Sequence, residues 1–192
     1  MLPRRLRAST RGTYDRAMTE RFIPLTRDTL SPEQQRVFDV ILAGPRRAVP
    51  APFHLFLQSA ELADRVQQLG ELLRYRTGLP PRLSELAILV TARHWGAEYE
   101  WSVHEREARK AGVPESAIRA IAADTAPELS GDDAVVYEFA HTFYAQRDVP
   151  EPLYAAAVAR FGMRTVVELS SILGYYSMLA IVLRVFRVKP AS

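Results

Sequence analysis

The chain of 192 residues contains no cysteine. That absence excludes disulfides, thiolate nucleophiles, Cys-ligated zinc and iron–sulfur clusters together, and it fits a reducing cytoplasm. Lysine is nearly missing as well: Lys110 and Lys189 are the only two, so the positive charge is carried by arginine. The net charge of +3 and a pI near 9.4 look basic. Yet the arginines are spread out, and only residues 1–27 are locally basic, with Arg4, Arg5, Arg7, Arg11, Arg16, Arg21 and Arg27 against Asp15 and Glu20. This reads as a partly ordered or docking arm, since no helix offers a basic recognition face beside a helix-turn-helix pattern. No nucleic-acid role is expected. A long apolar run is lacking too: Glu168 and Arg184 bracket only 15 residues, short of the roughly 20 a membrane span needs. The arginines near the start are followed by no apolar segment, so no signal peptide is expected. Nowhere does the pattern alternate with period two over a useful length, which argues against strands.

What remains is 48% hydrophobic and 24% charged, enough to build one core in a single domain or in two small repeats that share one. Ser31-Pro32-Glu33-Gln34 is a helix start, with Ser31 as N-cap, Pro32 at N1 and Gln34 closing a capping box. That helix should reach Ala43, followed by a loop over residues 44–52 that delivers Phe53 and His54. Residues 60–75 place Leu62, Val66, Leu69, Leu72 and Leu73 at helical spacing, opposite Asp64, Arg65, Gln67, Gln68 and Glu71. Gly78-Leu-Pro-Pro81 breaks the chain before a mostly buried helix that starts near Leu83 and ends near Gly96. A helix from Glu98 to Ala111 stops at Gly112, and a short one follows from Pro114 to Ala123. Asp132 or Asp133 should cap a helix to Ala145, and residues 150–161 form another. Thr165 and Glu168 form a capping box ahead of a long apolar helix that ends near Phe186. The fold class is all-α. Glu-Leu at 85–86 and again at 168–169, each near the start of an apolar helix, suggests a pseudo-repeat of two helical halves.

The densest polar constellation runs from Arg93 to His104. Glu100 and His104 stand four apart on one helix face beside Trp101, and Glu85 lies inside the apolar run of the preceding helix, where an unpaired carboxylate would be costly. If the two helices pack antiparallel, Glu85, Glu100 and His104 make a carboxylate–imidazole–carboxylate cluster suited to moving a proton. Spacing alone leaves a second reading open, a surface i,i+4 pair with an exposed acid nearby. Arg93 suits a bidentate carboxylate contact or a structural ion pair. His94, Trp95 and Tyr99 are candidate pocket walls or core aromatics, and His54 a candidate for the pocket rim. His141, in Phe139-Ala-His-Thr-Phe143, reads as a hydrogen-bonded helix residue. No tight ligand cluster points to a metal, and no cofactor is expected.

Residues 82–112, from Arg82-Leu-Ser-Glu-Leu-Ala to Ala97-Glu-Tyr-Glu-Trp-Ser-Val-His104 and on to Lys110-Ala-Gly112, resemble the core motif of the carboxymuconolactone decarboxylase family, which includes the alkylhydroperoxidase D proteins. Pro52-Phe53, Ser59-Ala-Glu-Leu-Ala63, Leu73-Arg74, Val167-Glu-Leu169 and Gly174-Tyr-Tyr176 resemble its longer, cysteine-less members, so the likeness runs from about Ser31 to Val188. The resemblance implies an alkylhydroperoxidase D-like helical bundle over residues 31–188, between the arm of residues 1–30 and a tail of residues 189–192. Peroxidase members carry Cys-x-x-Cys-x-x-x-His with a glutamate twelve positions before the first cysteine. Here the histidine is His104, the cysteine positions hold Ala97 and Glu100, Tyr99 stands between them where peroxidases often have histidine, and the relay glutamate is Glu85.

The thiols are gone while the proton-handling groups stay, so thiol peroxidase activity is not expected. Decarboxylase members keep a glutamate and histidine at the positions of Glu100 and His104. The resemblance therefore implies a cofactor-independent carboxy-lyase-like enzyme acting on a small carboxylated lactone or related organic acid. In it His104 would be the general acid/base, with Glu100 and Glu85 completing the relay and Arg93, Tyr99, Trp101, His94 and His54 binding substrate. An isomerase or lactone hydrolase using the same His–Glu pair, or a non-catalytic helical scaffold, are the other readings. The family also implies a homo-oligomer, a trimer or hexamer, with Tyr175-Tyr176 and the apolar 166–186 face as a candidate contact.

Overall fold

Prolines and glycines partition this chain, and the helices fall between them. The computed structural model describes residues 21–190. Most of the basic arm and the last two residues of the tail lie outside that range. A 3-10 turn at Arg27–Thr29 precedes eight helices. These are α1 (Pro32–Ala43), α2 (Ala51–Phe56), α3 (Ala60–Tyr75), α4 (Pro81–Trp95), α5 (Glu98–Ala111), α6 (Glu115–Ala122), α7 (Gly131–Gln146) and α8 (Glu151–Val185). No strand occurs among the described residues, so the all-α expectation holds.

The capping box forms as expected: Gln34 N–H donates to Ser31 Oγ at 3.3 Å, and Ser31 N–H donates to Gln34 Oε1 at 2.8 Å. Residues 21–30 lie against the helices. Leu30 is buried, Leu25 packs on the core, and Arg27 makes a bidentate pair with Asp39 at 3.0 and 2.8 Å. Helix α4 is the axis of the fold. Every residue from Leu83 to Ala92 is buried, and α5, α7, α8, α6 and α3 all pack on it. A helix apolar on all sides belongs inside a core, and the one acid within this run, Glu85, must therefore find partners there.

Helix α8 is broken at Gly162, whose φ of 79° and ψ of 157° no L side chain adopts comfortably. The expected boundary between two helices is therefore real, but its device differs. The Thr165–Glu168 capping box does not close: Glu168 accepts the Gly78 N–H at 2.6 Å and Arg164 Nε at 3.0 Å. Likewise Asp132 and Asp133 do not cap α7. They pair with Arg160 and Arg82, and Ser130 occupies the cap position. By composition an 18-residue stretch of α8 is apolar enough to cross a membrane, with a mean hydropathy of 1.8, but half of that stretch is buried inside the fold.

The phase of α3 also differs from expectation. Its inward face is Ala60, Ala63, Val66, Gln67, Gly70 and Leu73, whereas Leu62, Leu69 and Leu72 stay exposed. The cause lies on α8. A Cβ on Gly70 would meet the Tyr175 hydroxyl at 2.0 Å, so the small residues of α3 must face the tyrosine that crosses them. Tyr175 and Tyr176, candidates for an oligomer contact or for packing within the chain, are buried within the chain.

Candidate active site

Two helix starts place the site. Pro81 opens α4 one turn before Glu85, and the left-handed Gly96 turns the chain so that α5 begins at Glu98 and packs back on α4. Glu100 and His104 then share one face of α5 and look at Glu85 of α4. His104 Nδ1 lies 2.7 Å from Glu85 Oε2, and Nε2 lies 3.3 Å from Glu100 Oε2. All three are buried, at 7% exposure for Glu85, 4% for Glu100 and 3% for His104. The structure brings together the three residues that spacing nominated.

Burial opposes a charge on His104, but its hydrogen bonds to Glu100 and Glu85 and their negative charges outweigh it, and its pKa is pushed up to about 9. The ring is thus an imidazolium at neutral pH, clamped tightly by Glu85 and more loosely by Glu100. Tyr176 stands edge-on to it, with centroids 4.9 Å apart and planes at 86°. Burial drives the Tyr176 hydroxyl well above its ordinary value, so it stays a neutral phenol. Arg74, its side chain 19% exposed, reaches Glu107 at 3.9 Å. Burial opposes its charge too, yet Tyr176, Tyr75, Glu85 and Glu107 together hold its pKa above the usual arginine value. Two carboxylates and two cations thus share one buried neighbourhood.

Arg74 and Tyr176 were not nominated from the sequence as site residues. The signal was present: Leu73-Arg74 and Gly174-Tyr-Tyr176 both lie in the stretches that carry the family likeness, but nothing in either dipeptide reveals which side chain turns inward.

The remaining nominated residues divide. Trp101 packs on the core beside Glu100. The Tyr99 hydroxyl accepts the Ala51 N–H at 3.2 Å and ties α5 to α2. His54 takes the Leu25 N–H on Nδ1 at 3.2 Å and donates from Nε2 to the Val49 carbonyl at 3.2 Å. Both its nitrogens are spent on backbone, and burial lowers its pKa. Arg93 and His94 lie two turns along α4 from Glu85, about 12 Å along the helix axis, where Arg93 pairs with Asp124 at 3.7 Å and His94 stacks on Tyr144. His54, Arg93 and His94 are therefore not brought to the triad. No group of three His, Asp or Glu side chains among the described residues is arranged to hold a metal ion.

Residues 60–136 match the model of the carboxymuconolactone decarboxylase family, a segment that contains Glu85, Glu100 and His104. No curated protein matches the sequence. Among solved structures, an uncharacterized peroxidase-related protein from Silicibacter sp. TM1040 superposes with a TM-score of 0.73 at 16% identity, covering 91% of this chain and 93% of its own. The apo debrominase Bmp8 gives a TM-score of 0.70 at 14% identity, covering 88% and 91%. Its complex with 2,3,4-tribromopyrrole, in a cysteine-to-alanine variant, gives 0.68 at 15% identity, covering 88% and 90%. At such identities the likeness concerns the fold. The chain is thus similar to the carboxymuconolactone decarboxylase family over residues 60–136, and it carries no cysteine.

Proposed function

We propose that the protein is a cofactor-independent acid/base enzyme that acts on a small carboxylated lactone or related organic acid. The observation that carries this reading is the clamped imidazolium, with His104 held between Glu85 and Glu100 in a buried site. A structural ion pair needs one carboxylate; two, at unequal distances, set up a donor with a tight side and a loose side. Glu85 fixes the ring through Nδ1, and Nε2 on the Glu100 side is the edge that releases the proton.

In a decarboxylation the bond from the ring carbon to the carboxylate breaks and its electron pair stays as a dienolate. Carbon dioxide leaves, His104 donates one proton to carbon, and solvent restores it. Arg74 supplies positive charge near the developing anion. The family-model match over residues 60–136 and the likeness to a debrominase support an enzyme. Thiol chemistry has no side chain here, because the chain has no cysteine. The same triad would serve an isomerase or lactone hydrolase. We place the enzyme in the cytoplasm as a homo-oligomer, a trimer or hexamer, for which the exposed Leu62, Leu69 and Leu72 of α3 offer apolar surface.

The test is a panel of carboxylated γ-lactones in deuterated water. Carbon dioxide release with one solvent deuteron in the product, lost by about 100-fold or more in His104→Gln, supports the reading. Ring opening or rearrangement without carbon dioxide redirects it to hydrolase or isomerase. A panel that is not turned over, or turnover unchanged in His104→Gln, overturns it.

A further inference from the structure

Arg93 and His94, left without a role at the triad, open onto a separate cavity of about 320 Å³ between α4, the end of α6 and α7. Its walls are two imidazole–phenol stacks. His94 lies on Tyr144 with centroids 4.3 Å apart and planes at 17°, and His141 lies on Tyr137 at 5.3 Å and 14°. Val90 and Ile121 add apolar surface, and Arg93 and Asp124 line the same cavity.

We propose that this cavity is a second binding site, for a small planar carboxylate of the size of an aromatic acid. Three features lead there. The volume falls within the range of small-ligand pockets, roughly 300 to 1,000 Å³. The faces are flat and aromatic, which selects a planar body. Beside the carboxylate of Asp124 the lining carries side chains that can donate to a ligand carboxylate: the Arg93 pair with Asp124 is long, at 3.7 Å, and the side chains of Arg93, His94 and His141 make no hydrogen bond to another described residue. A carboxylate would offer Arg93 a closer, bidentate partner than Asp124 does.

The site is also held rigid. The Tyr144 hydroxyl lies 3.0 Å from Thr91 Oγ1, 3.2 Å from the Leu173 carbonyl and 3.0 Å from Ser177 Oγ. The phenol that carries His94 is therefore fixed by α4 and α8, and the wall is in place before a ligand arrives. None of the triad residues lines this cavity, so the inference stands apart from the proposed chemistry.

Benzoate is the probe, followed by the imidazole carbon-bound proton signals of the four histidines in the full-length protein. The expected result is saturable shifts of the His94 and His141 signals, with His54 and His104 unmoved. Arg93→Gln should weaken benzoate binding about tenfold or more, and cyclohexanecarboxylate, of equal charge but puckered, should bind more weakly than benzoate. Arg93 is a surface residue, so its replacement leaves the fold intact, and His94→Gln gives an independent check by calorimetry. Shifts confined to His104, shifts of equal size in Arg93→Gln, or a lack of saturable binding would each overturn the proposal. Because the readout is binding rather than turnover, failure here is distinct from failure of the acid/base reading.

Discussion

Helix α4 carries two histidine-containing regions at its two ends, and they solve opposite problems. At Glu85 the imidazole of His104 is buried, bonded at both nitrogens to carboxylates and held charged. Two turns on, His94 is exposed, stacked on Tyr144, and its pKa is lowered by partial burial and by the Arg147 charge. The difference shows that in this fold a histidine's state follows from what faces it. Carboxylates on two neighbouring helices create a cation in the core, while partial burial and a nearby guanidinium favour a neutral ring at the surface.

The largest test of that contrast is removal of the rings. His104→Ala leaves Glu85 and Glu100 buried and facing each other, and should cost about 3 to 5 kcal/mol of unfolding free energy in urea titration. A loss below about 1 kcal/mol would mean the triad is not a buried ion cluster. His94→Ala should cost far less.

Next comes pH. The folded pKa of His104 is raised to about 9 from an unfolded value near 6.5. Its contribution is therefore fully present below the unfolded value and is lost as pH rises through about 9. Urea midpoints between pH 6 and 10 should fall by the equivalent of on the order of 3 kcal/mol. His94 has the opposite sign: its pKa is lowered, so it favours the folded state less as pH drops below the ordinary histidine range, and the acid side of the same curve checks this.

A smaller effect is expected from Tyr144→Phe. It removes a hydroxyl that contacts Thr91, Leu173 and Ser177 and should cost about 1 to 2 kcal/mol. It should also loosen the His94 wall, seen as a sharper His94 proton signal, without moving that of His104. Smallest of all, Arg93→Gln breaks a long, exposed ion pair and should shift stability by less than about 0.5 kcal/mol in a thermal melt.

Much of the helical layout was legible because proline and glycine mark it. Ser31-Pro32, Pro80-Pro81, Gly96 and Gly112 stand at the ends of their helices, and the ranges of α3 and α5 follow from periodicity. The phase of α3 was not legible. Leucines count as inward by hydrophobicity, yet Gly70 faces the core because Tyr175 needs the space. The caps at Thr165 and at Asp132–Asp133 failed for a related reason. Their carboxylates and neighbours were claimed by distant groups, Gly78, Arg160 and Arg82, which local sequence does not reveal.

At the site, the i,i+4 spacing placed Glu100 and His104 on one face, and the cost of burying an acid in an apolar run meant that Glu85 had to face a cavity, a partner or solvent. The sequence by itself thus determined most helix ranges, the lack of any thiol and the shared face of Glu100 and His104, because periodicity and composition are local properties. Only the tertiary structure decided the antiparallel approach of α4 and α5 that turns His104 into a cation. It alone added Arg74 and Tyr176 from α3 and α8 and sent Arg93 and His94 to a cavity of their own. Those outcomes depend on which helix faces which, and that is set by packing across residues far apart in the chain.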